Sequence, residues 1–143
     1  MNIVSSCQGA NLTIFIKLLD AMACNQTIDK VGIFTSDSMS FYKQQDLNLN
    51  KNSFTILKEW EVFSKGRAIE VNFEILEKYE KKVGDPVLWN ALLADRRIFF
   101  GKKCKMKQDY KSRYSYSKMM GILQNSLEEI DQLFKDLKPD LVI

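Results

Sequence analysis

The sequence predicts an α/β fold, a parallel β-sheet carrying helices on both faces, and three features predict it. Short apolar runs alternate with longer stretches of helical periodicity. The first apolar run passes into its helix through a tight turn that holds one glycine, Gln8-Gly9-Ala10. The last helix stops at Lys138-Pro139-Asp140 and leads straight into Leu141-Val142-Ile143. That is how a crossover helix delivers the chain to its next parallel strand, since proline cannot continue the helix and an apolar run enters a sheet buried on both sides.

Each element follows from local pattern. Asn2 to Cys7 is a short apolar strand, and Asn11 suits the N-cap of a helix in which Leu12, Phe15, Ile16, Leu19, Met22 and Ala23 recur at helical spacing. Lys30 to Thr35 reads as the second strand, and the polar turn Ser36-Asp37-Ser38 suits the cap of a short helix through Gln45. Ser53 to Leu57 reads as the third strand. From Glu70 to Tyr79 the apolar spacing is mixed, and the content of Glu and Lys favours helix. Gly84-Asp85-Pro86 breaks that helix. Asp85 then caps another that Pro86 opens, running through Leu88, Trp89, Leu92 and Leu93 toward Asp95-Arg96-Arg97. Tyr116 to Leu137 carries Met119, Met120, Leu123, Leu127, Ile130, Phe134 and Leu137, an amphipathic helix of about six turns. Strand, helix, strand, a long helical insertion and a final strand together predict a Rossmann-like three-layer sheet, whose right-handed crossovers put ligand sites at the carboxyl ends of the strands.

Composition bounds the function. A chain of 143 residues with 45% apolar content is the size of one domain and can fill a core. The N-terminus lacks a basic region followed by a long apolar stretch, and no run approaches the roughly 18 to 20 apolar residues that span a bilayer, so a cytoplasmic domain is expected. Because the chain stops as a strand opens, residues 1–143 read as a single N-terminal domain cut from a larger two-domain chain, lacking half of its active site and inactive alone. Cys7, Cys24 and Cys104 are widely spaced and there is no histidine, which argues against a disulfide framework, a zinc site and histidine-assisted nucleophilic catalysis within this segment. Any acid or base here is Asp, Glu, Lys, Tyr or Cys.

The turn Ser5-Ser6-Cys7-Gln8-Gly9 falls at the carboxyl end of the first strand. Ser6, Gln8 and Gly9 would let a sugar or phosphate approach the backbone near a helix N-terminus, where amides and the helix dipole favour anions. Plain turn geometry accounts for the glycine better, as there is neither a GxGxxG pattern nor a Walker lysine.

Over residues 77–143 the order of landmarks is more specific. An acidic helix leads to a turn holding Gly84, Pro86, Leu88 and Trp89, then to Ala94, Asp95 and Arg96, a tyrosine-rich stretch with Tyr114 and Tyr116, and a helix closed by Lys138, Pro139 and Asp140. This succession resembles bacterial capsular and surface-polysaccharide biosynthesis proteins with a two-domain GT-B glycosyltransferase-like architecture. The resemblance implies transfer of a sugar from a nucleotide-activated donor to a growing or lipid-linked glycan, with no cofactor. In such proteins the N-terminal domain faces the acceptor and the C-terminal domain holds most contacts to the nucleotide sugar. Inverting transfer needs a carboxylate to take the acceptor hydroxyl proton and cations to offset charge on the departing phosphate. Asp95 and Arg96 supply one of each as the candidate catalytic pair, with Arg97 and Trp89 as substrate contacts. Asp95 and Arg96 equally suit a structural ion pair, and Trp89, spaced with Pro86, Leu92 and Leu93 on one helical face, suits the core better than a sugar contact.

Net charge is +3, yet between Asp95 and Arg113 eight Lys and Arg residues face two Asp. This basic arm, with Tyr110, Tyr114 and Tyr116 near its end, suits attraction to anionic lipid or to the phosphate of a lipid-linked acceptor, and so a peripheral station at the inner face of the membrane. A solvated loop is the plainer reading. The rival of another class is a non-catalytic binding or scaffolding domain that uses the Lys102 to Arg113 arm for nucleic acid or an envelope-assembly partner. Nearly balanced charge and the lack of a nucleic-acid-binding motif disfavour nucleic acid.

Overall fold

A computed structural model describes residues 1–7, 10–25, 27–36, 53–84 and 114–143. In chain order they form β1 (Asn2–Ser6), α1 (Ala10–Ala23), β2 (Lys30–Thr35), β3 (Phe54–Lys58), α2 (Glu59–Gly66), α3 (Phe73–Val83), α4 (Tyr116–Leu137) and β4 (Leu141–Val142). The fold is α/β, and among the described residues there is one four-stranded sheet in the order β3-β2-β1-β4 with every pair parallel.

The chain divides into two compact units. One comprises Met1–Glu61 with Glu129–Ile143, and the other is Val62–Glu128. The first holds the sheet. Its central strands read as runs of buried residues because both faces are covered, whereas β3 at the edge is only half-buried. Alternate residues feed two separate apolar clusters, as the two-residue period of a strand requires. Ile3, Val31 and Ile33 pack with Leu12, Phe15, Ile16 and Leu19 of α1. Val4 packs with Leu133 and Leu137 of α4, joined by Leu57. Gly32 lies under this second group, and a Cβ there would stand 2.5 Å from a Leu137 methyl.

The junction between α4 and β4 explains Lys138-Pro139-Asp140. Lys138 takes a left-handed backbone (φ 45°), a position glycine usually fills after a helix, and Pro139 prevents the helix from continuing. The Asn2 side-chain amide donates to the Leu137 carbonyl at 2.7 Å, closing the helix end. The Asn2 backbone N–H donates to the Asp140 carboxylate at 2.7 Å, and the Asp140 N–H donates to the Asn2 carbonyl at 2.8 Å. These bonds set the register Ile3 to Leu141 and Val4 to Val142.

In the second unit, Leu76, Met119, Ile122 and Leu123 form the core with Phe63, Val71 and Leu127 against them. Asn72 caps α3 by accepting from the Glu74 N–H at 2.9 Å, and the Asn72 N–H donates to the buried Gln124 amide oxygen at 2.8 Å. Gly84 closes α3 with φ 79°. Gly66 of α2 and Gly121 of α4 meet so closely that a Cβ on Gly121 would strike the Gly66 carbonyl oxygen.

Several boundaries differ from the sequence expectations. Helix α2 was not expected, and it begins immediately after β3 with no connecting loop. Asn11 lies inside α1, which already starts at Ala10. Helix α3 starts at Phe73 rather than Glu70 because the cap is Asn72. The expected helix through Gln45, the helix opened by Pro86 and the basic arm lie outside the described residues. No described helix is long and apolar enough to cross a membrane.

Candidate functional site

In an open parallel sheet, ligands sit outside the carboxyl ends of the strands where the strand order reverses. Here the chain steps from β1 to β2 to β3 in one direction and returns to the other side of β1 with β4, so the reversal lies between β1 and β4. Ser6 is the last residue of β1. Its N–H donates to the Ile143 carbonyl at 3.3 Å, the Ile143 N–H donates to Val4 at 2.9 Å, and the Cys7 N–H donates to Phe34 at 3.2 Å. The strand end is thus fixed by both neighbours, while the Ser6 side chain is exposed.

Ser5 and Cys7 point the other way and are buried. Burial pushes the Cys7 thiol above its ordinary range, and a hydrogen bond with the Ser5 side chain pulls it partly back. The net shift is upward, as burial requires, and the sulfur packs within the apolar cluster of α1.

Farther along the same edge, β2 ends at buried Thr35 and β3 ends at Lys58, which are register partners. Ser6 is level with Phe34, and Phe34 with Leu57. Two strand spacings separate the end of β1 from the end of β3, about 10 Å. Beyond β3 the first turn of α2 places Trp60 and Glu61 in solvent, and the Lys58 ammonium bonds the Glu61 carboxylate at 2.9 Å. The edge therefore offers a hydroxyl, an ammonium, a carboxylate and an indole. Ser6 shares its face of the sheet with Leu57, and Lys58, one residue farther along, alternates to the opposite face, so the hydroxyl and the ion pair are two separate features of this edge. Among the described residues, no three His, Cys, Asp or Glu side chains converge as they would around a metal ion.

Of the residues assigned from sequence, Ser6 stands at this edge. Gln8, Gly9, Trp89, Asp95, Arg96 and Arg97 lie outside the described residues. Lys58 and Trp60 escaped the sequence reading. The available signal was a tryptophan directly after a strand, on what becomes the polar side of a helix. Within the second unit, Glu70, Val71, Phe73, Tyr116, Ser117 and Met120 line an apolar groove of about 530 Å³. Compared with protein-family models, curated proteins and solved structures, the chain has no match.

Proposed function

We propose that this chain is the acceptor-side N-terminal domain of a GT-B-like glycosyltransferase, built on a Rossmann-like three-layer sheet. In this reading it helps move a sugar from a nucleotide-activated donor to a surface polysaccharide or a lipid-linked glycan, in the cytoplasm at the inner face of the membrane. The supporting observation is the reversal of strand order beside Ser6, with an exposed hydroxyl at the place where such sheets receive ligands. The ordered landmarks from Gly84 to Asp140 give the reading its chemistry, with Asp95 as general base and Arg96 as the cation that offsets phosphate charge.

The test is glycosyl transfer by the complete protein, using a panel of nucleotide sugars and a capsule-type acceptor. Asp95→Asn and Arg96→Ala, each shown to remain folded, should lower kcat by roughly a hundredfold or more, in keeping with loss of a positioned proton acceptor or of charge stabilisation. Full activity in both variants would remove the two residues from the site. No transfer with any donor would overturn the reading.

A further inference from the structure

We infer that Trp60 is an aromatic platform for a sugar ring of the glycan acceptor, flanked by the Lys58–Glu61 ion pair at the carboxyl edge of the sheet. This rests on the acceptor-side reading above and adds a subsite to it. The first observation is the side of α2 on which Trp60 lies. Glu59, Val62 and Gly66 are buried, whereas Trp60, Glu61, Ser64 and Lys65 face solvent. The amphipathic pattern calls for a polar residue at position 60, and an indole stands there 43% exposed. The second observation is location. Trp60 follows the end of β3 by two residues, on the ligand-receiving edge of the sheet.

The third is chemical. The Lys58 ammonium lies over the Trp60 ring, 5.6 Å from its centre and within cation–π range, so a cation and an aromatic face stand side by side. A pyranose presents an apolar patch of C–H groups on its face and hydroxyls around its rim. The indole matches the patch, and Lys58 and Glu61 supply a donor and an acceptor for the rim. A two-torsion aromatic side chain also loses little conformational entropy when it is covered.

The experiment uses the whole chain as wild type, Trp60→Ala and Trp60→Phe on an array of bacterial surface oligosaccharides. It adds NMR titration of the indole N–H signals with the best-bound oligosaccharide and, separately, with UDP. The chain has two tryptophans, so Trp60→Phe identifies the relevant signal. The oligosaccharide should move the Trp60 signal, Trp60→Ala should weaken binding about tenfold, and Trp60→Phe should restore most of it. Oligosaccharide binding with a motionless Trp60 signal and unchanged affinity in Trp60→Ala would overturn this inference and leave the acceptor-side reading intact. A Trp60 signal moved by UDP and by no oligosaccharide would overturn the sugar assignment. Failure of the wild type to bind any glycan, together with absent transfer by the complete protein, would remove both.

Discussion

Ser6 and Cys7 are adjacent, and the pleat of one strand gives them opposite fates. Ser6 faces solvent at the edge, while Cys7 is 7% exposed and joins the α1 cluster. Cys24, at the end of α1, is exposed. Iodoacetamide at neutral pH should alkylate Cys24 well before Cys7, as read by peptide mass spectrometry. Equal labelling would contradict the burial. The pH dependence has a definite sign. The folded thiol titrates above the unfolded one, so its stabilising contribution is complete below about pH 8.5 and is lost as pH rises through the folded value. The urea midpoint of the wild type should therefore fall more between pH 7 and pH 10 than that of Cys7→Ala.

Among elements, α2 and α4 are held by backbone contact at Gly66 and Gly121. Alanine at a helix interior normally gains up to about 1 kcal/mol over glycine. At position 121 the gain is outweighed, because the new methyl meets a carbonyl oxygen and backbone must shift. Gly121→Ala should destabilise by about 3 kcal/mol in urea denaturation, and Gly32→Ala by about 1 kcal/mol, since there the obstacle is mainly a Leu137 methyl that can rotate away. Equal losses would contradict this contrast. The same elements show what the sequence could convey. Helix α4 and the strand after Lys138-Pro139-Asp140 were legible because periodicity and proline act locally. The start of α3 was not, because Asn72 is held by Gln124, 52 residues away. Helix α2 escaped because eight residues placed directly against a strand leave little room for a cap or a repeating apolar pattern.

At the scale of the whole molecule, alternation of strands and helices was enough to anticipate a parallel α/β sheet, and the order β3-β2-β1-β4 agrees with it. Ser6 was readable as an edge residue because a strand followed by a turn and a helix marks its own carboxyl end. Lys58 and Trp60 were not, since their place on that edge depends on β3 pairing with β2, a tertiary fact. The proposed function turns on whether this edge receives the sugar substrate. The most direct measurement is transfer by the protein carrying Ser6→Trp, a substitution that fills the edge at an exposed position and should leave the thermal midpoint unchanged. The expected result is a loss of transfer of about a hundredfold or more, as for a substrate held out of position. Undiminished transfer by that folded variant would contradict the account.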